Sequence, residues 1–285
     1  MKYGESTFDI LYLLFVIISG CMILKRAQDR TDRFMGIAAL VLGCGDAFHL
    51  VPRVLNYFSD ADMTIPLGVG KLITSVTMTV FYLLQYYIWL GRYKEKNNRN
   101  LTVTIWCLAA IRILLCLFPQ NGWLQNSSDL SWGIIRNIPF VILGAVILCL
   151  FYRNRKADGI FKRVWLYILL SFAFYIPVAV GAGLIPILGM LMLPKTVCYI
   201  LVVVVFLRGC GIGPFFRERQ QPKGSYDHEN KKPVIRASIC TGEKVAGFRN
   251  MQTGVFEEVM LIRNSDDLAA FKERYGIEGD IEKIY

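Results

Sequence analysis

Histidine is almost missing from this sequence, with two residues in 285. Only His49 lies in the apolar part of the chain, so a zinc centre built from several histidines is excluded, and neither a metal nor a cofactor is expected. Carboxylates are scarce where apolar residues dominate. The run 66–91 holds none, which leaves Lys195 in the last apolar run without the counter-ion that a retinal Schiff base needs. The eight cysteines do not fall at ligand or disulfide spacing. Cys21, Cys107, Cys116, Cys149 and Cys198 are scattered through apolar runs and read as small buried residues. A dinucleotide fingerprint is also lacking. In RGCGIGP, 208–214, Pro214 stands where the third glycine belongs, and the preceding apolar run is about 20 residues, too long for a strand. These glycines are expected to end a helix.

Long apolar runs are what the sequence has. It is 54% hydrophobic, with a mean hydropathy of +0.43, beyond an ordinary soluble domain. A membrane-spanning helix needs about 20 apolar residues. Seven runs qualify, at 8–24, 34–53, 66–91, 101–118, 132–152, 163–183 and 187–207. Basic residues crowd the loops 25–33, 92–100 and 153–163 and the stretch after 207, while the alternate loops carry almost none. Nineteen of the 32 Lys and Arg fall in the crowded set. The positive-inside rule then puts the N-terminus outside and the C-terminus in the cytoplasm of a cell (inner) membrane. The net charge of +10 is thereby accounted for by loop anchors, and nucleic acid is not an expected partner.

Composition changes after 208. Residues 209–232 read as a linker, and 233–285 as a small cytoplasmic α+β domain. PVIRASIC alternates, EKVAGFR follows a TG turn, and NMQTG precedes VFEEVMLIR, giving three strands. One helix follows, with Asn264 or Ser265 as cap, Lys272 and Arg274 in its last turn and Gly276 just beyond it. So small a core is marginal and would gain from a protein partner or from the membrane domain.

GDAFHLVPR, 45–53, puts Asp46, His49 and Arg53 at i, i+3 and i+7, on one face of the second helix. Lys71, Arg112, Arg136 and Lys195 fall in other runs. Depth along each helix, at about 1.5 Å per residue, brings all of them to the outer half of the bundle. Asn137 lies beside Arg136 and near Pro139, Tyr175 precedes Pro177, and Pro194 adjoins Lys195. Proline frees carbonyls in the preceding turn for polar contacts. Charges at this depth cost about 3 kcal/mol or more each and persist when they face the interior and find partners. The surplus of bases over acids asks for an anion, either a small molecule or a lipid headgroup. Alternatively, Asp46 pairs with Arg112 or Lys195 and pins the bundle. Three functions fit: a receptor or sensor, a transporter of an anionic solute, or a lipid-modifying enzyme with His49 as base and Asp46 as its orienter.

The DAFHLVPR stretch within seven apolar runs resembles a family of uncharacterised seven-helix bacterial membrane proteins. PVIRASICTGEKVAGF and FEEVMLIRNSDDLAAFKERYGI, about 50 residues, resemble small Firmicutes domains labelled aspartate-dehydrogenase-like. At that length the tail is too short for both a nucleotide-binding fold and a catalytic site.

Overall fold

A computed structural model of the protein describes residues 2–125, 130–181, 185–212, 226–227, 230–238, 243–262, 265–277 and 279–284. The chain divides into two units, Met1–Phe216 and Arg217–Tyr285. Most of the expected linker, the TG turn and Asn264 lie outside the described residues.

The first unit contains seven long helices: α1 (Lys2–Arg26), α2 (Arg30–Phe58), α3 (Thr64–Tyr93), α4 (Arg99–Leu117), α5 (Leu130–Arg153), α6 (Val164–Gly181) and α7 (Met192–Gly209). Among the described residues, seven helical stretches are long and apolar enough to cross a membrane. Several helices overrun the apolar runs that signal them. α1 starts at Lys2, because Glu5, Ser6 and Asp9 lower the local hydropathy without breaking the helix. α2 continues through Pro52 to Phe58. The seventh run is not one continuous α-helix. Its first turns, Pro186–Leu191, are 3-10, and the α-helix begins at Met192. Pro194 then lies in the first α-helical turn, where its missing N–H leaves no intrahelical bond unmade. At the other end Gly209 is the last helical residue and Gly211 is left-handed (φ 68°), so the glycines do terminate the helix.

Small residues set the closest packing. A Cβ added at Gly70 on α3 would stand 2.2 Å from the Phe48 carbonyl oxygen of α2, and one at Gly45 on α2 would stand 2.0 Å from Thr77 Oγ1 of α3. The first clash is with backbone, so no rotamer change relieves it and the helices must part. Overpacking of this kind costs about 1–3 kcal/mol. Gly70→Ala is expected to lower the thermal midpoint of the purified protein by several degrees, and an unchanged midpoint would contradict this contact.

The bundle end that carries the α1–α2, α3–α4 and α5–α6 connections holds polar latches. Arg92 Nε donates to Asp158 Oδ2 at 2.5 Å, and Asn154 Nδ2 donates to Glu95 Oε1 at 3.0 Å. Burial raises the Asp158 pKa, but the bonds from Arg92 and from the Ile160 N–H outweigh it and hold the carboxyl below its ordinary range.

The second unit has four strands rather than three: β1 (Lys231–Ala237), β2 (Lys244–Asn250), β3 (Phe256–Ile262) and β4 (Glu282–Ile284), with helix α8 (Ser265–Tyr275). The sheet order is β3-β2-β1-β4, antiparallel except for the parallel β1–β4 pair. β4 is three residues long, too short to show alternation, and pairing with β1 is what makes it a strand. Gly276 ends α8 in the left-handed conformation (φ 64°), and the Ile277 N–H donates back to the Lys272 carbonyl at 3.0 Å. Ile235, Ala246, Phe248 and Phe271 are the buried core of this unit.

Candidate functional site

A cavity of about 600 Å³ opens within the first unit, near the bundle end that carries the α2–α3, α4–α5 and α6–α7 connections. Seven of the nine residues singled out in the sequence line it: His49 from α2, Lys71 from α3, Arg112 from α4, Arg136 and Asn137 from α5, Tyr175 from α6 and Lys195 from α7. No aspartate or glutamate lines it among the described residues.

The arginines are held by neutral groups. Arg112 is 2% exposed, and its Nη1 donates to the Arg136 carbonyl. That carbonyl lies three residues before Pro139, whose missing N–H leaves the neighbouring Ile135 carbonyl without its intrahelical donor. Arg112 Nε has no hydrogen-bond partner, and its guanidinium lies 5.2 Å from the Phe140 ring centroid. Arg136 Nη1 donates to Asn121 Oδ1 at 2.7 Å, and its guanidinium stacks 4.4 Å over Trp123. Asn121 is itself fixed, since its Nδ2 donates to the Leu115 and Phe118 carbonyls at 2.8 Å. Lys195 Nζ lies 4.8 Å from the Tyr175 ring and 5.4 Å from the Tyr199 ring. Tyr175 Oη donates to Asn137 Oδ1 at 2.8 Å. Aromatic rings and carbonyls stabilise a cation without cancelling its charge.

Asp46 and Arg53 do not line the cavity, a correction to the expectation that they gather with His49 and the other charged residues at one anion site. Tyr12 Oη donates to Asp46 Oδ2 at 2.6 Å, so Asp46 faces α1. Arg53 is paired with Glu5 of α1, whose other carboxylate oxygen accepts from Tyr57 Oη at 2.9 Å. Positions i, i+3 and i+7 share a face, but that face is divided between two neighbours, α1 and α3. The charge of Asp46 acts on Lys195 through space, so α2 and α7 are coupled electrostatically there, but Asp46 forms no close salt bridge with Arg112 or Lys195. Nor does a hydrogen bond join Asp46 to His49, whose Nδ1 is buried and unpartnered, so the base-and-orienter pair is not assembled. Ser6 and Asp9, both 4% exposed, are further buried polar residues of α1, with Ser6 Oγ and Asp9 Oδ2 unpartnered.

Other lining residues carried little sequence signal. Asn121 lies in a short 3-10 turn, Pro119–Asn121, and Trp123 reads from sequence as an interface or packing aromatic. Met78 and Met192 read as core filler but face the cavity. Beyond the cavity wall lies a layer of rings. Phe140 packs on Tyr82 (5.2 Å), Phe172 (5.3 Å) and Tyr175 (5.9 Å), and Phe81 on Tyr199 (5.8 Å). Tyr82 and Phe81 are fully buried beneath it. Among the described residues, no cluster of three or more His, Cys, Asp or Glu could hold a metal ion. No protein-family model matches the chain, and no curated protein matches it.

Proposed function

We propose that this chain is a multi-pass membrane protein with its N-terminus outside, and that its cavity opens outward and binds an anionic ligand. The observation that carries this reading is the cavity's charge: Arg112 and Arg136 line it, held by carbonyls, an amide and rings, with no carboxylate among the described lining residues, and Lys195 adds a third cation that Asp46, outside the lining, offsets through space. Uncompensated cations in a low-dielectric site bind anions strongly. The basic loops at the opposite end from the cavity support the orientation.

Sensing is favoured over passage. The cavity-lining rings of Phe140 and Tyr175 pack against the rings of Tyr82 and Phe172, which do not line it. An anion bound in the cavity meets packed rings there, with the hydroxyls of Tyr82, Ser171 and Tyr199 buried among them, and this favours a receptor that reports occupancy over an open conduit. The lipid-modifying reading is weaker, because His49 lacks the orienting carboxylate that a general base uses.

Native mass spectrometry of the full chain released from lipid nanodiscs is the test. A retained anionic lipid or metabolite is the expected result. A bare protein mass, together with no thermal shift from a panel of carboxylates and phosphates, would reject the reading.

A further inference from the structure

We infer that the cavity selects an organic oxyanion with an apolar body, a phosphate or carboxylate amphiphile, over a small inorganic anion; this rests on the anion-binding reading above. Size comes first. A cavity of about 600 Å³ is in the range that encloses drug-sized ligands. It would hold on the order of 20 waters at about 30 Å³ each. A lone phosphate would occupy a small part of it and leave the rest as water against apolar wall.

The wall is divided. Arg112 and Arg136 approach from α4 and α5. Met78, Val178 and Met192 supply apolar surface on other sides of the same space. Gly133 adds an opening: it lines the cavity, and a Cβ built on it meets nothing within 4 Å. A guanidinium pair grips an oxyanion by charge-assisted hydrogen bonds. The hydrocarbon attached to it then displaces water from the methionine and valine surface, worth about 0.8 kcal/mol per methylene, or roughly three- to fourfold in affinity. A phospholipid head region and a water-borne organic acid or phosphate share this chemistry.

The full chain in zwitterionic nanodiscs would be titrated with inorganic phosphate, with methyl through pentyl phosphate, and with acetate through hexanoate, following tryptophan fluorescence. The dissociation constant is expected to fall about threefold per added methylene in at least one series until the cavity fills. Gly133→Leu, which adds volume into the open space of the cavity, is expected to flatten that slope, so that the ratio of pentyl phosphate to inorganic phosphate affinity falls toward one. Equal affinity for inorganic phosphate and pentyl phosphate, with hexanoate no tighter than acetate, would overturn the inference and leave the anion site standing. A slope unchanged in Gly133→Leu would place the alkyl chain outside the cavity and overturn it too. Binding of none of the probes would remove the anion-binding reading itself. Doping the nanodisc with a lysophospholipid identifies the source under a supported class: competition with pentyl phosphate points to a lipid, and its absence to a water-borne anion.

Discussion

Arg112→Gln is expected to weaken anion binding by about 2–5 kcal/mol, roughly 30-fold to several thousandfold, while leaving the ligand-free protein as stable as before or more so. The two halves of this expectation come from the same geometry. Arg112 is 2% exposed and spends one N–H on the Arg136 carbonyl, with Nε unpartnered and no carboxylate in contact. Its charge is buried without a counter-charge, a cost that the empty protein bears and an anion relieves. Glutamine keeps a hydrogen-bond donor near the Arg136 carbonyl and removes that cost. A charge that serves only to pin the bundle behaves oppositely, because its removal lowers stability and leaves no affinity to lose. Thermal midpoints with and without a bound anion separate the two, and a large drop in the ligand-free midpoint would mark Arg112 as structural.

The second large effect lies in the small unit. Phe271→Ala should unfold residues 231–284 while the helices stay folded. Phe271 is fully buried, 5.7 Å from the Phe248 ring and 5.1 Å from the Tyr275 ring, in a core with only Ile235, Ala246 and Phe248 as its other buried members. Truncating a buried phenylalanine costs about 3–5 kcal/mol. A core of this size supplies little more than that in total. Hydrogen exchange on the full chain is the measurement. The strand amides of β1 and β2 should lose protection in the variant, and those of α3 should keep theirs. Retained protection in both would mean that the unit draws its stability from contacts beyond this core.

Depth was legible in the sequence, and azimuth was not. Counting residues from each loop placed Lys71, Arg112, Arg136 and Lys195 at one level, and that level is where the cavity lies. Which neighbour each side chain meets depends on how the helices rotate and cross, which no single run encodes. Asp46 and Arg53 were therefore grouped with His49, which alone of the three lines the cavity. Their true partners, Tyr12 and Glu5, sit in α1, and Glu5 lies in a polar first stretch that hydropathy alone leaves out of the helix. Pro139 was readable as a break in the intrahelical ladder, because its missing N–H is covalent and local, but the carbonyl it frees is that of Ile135, one residue before the one that receives Arg112. β4 was invisible for the opposite reason: three residues carry no period, and their pairing with β1 is entirely tertiary.

The helices are unequal in length, and the bilayer would feel it. α3 has 30 residues and α4 has 19, about 45 Å against about 28 Å. A hydrocarbon layer of about 30 Å matches α4 and is exceeded by α3. In a bilayer, lipid on one flank of the bundle would meet a short apolar wall, and on another a helix that would have to lean or protrude. Such a protein presents a stepped perimeter, thin beside α4 and thick beside α2 and α3. In a bilayer, lipids of different chain length would then distribute unevenly around it, and membrane thickness would bear differently on its long and short helices.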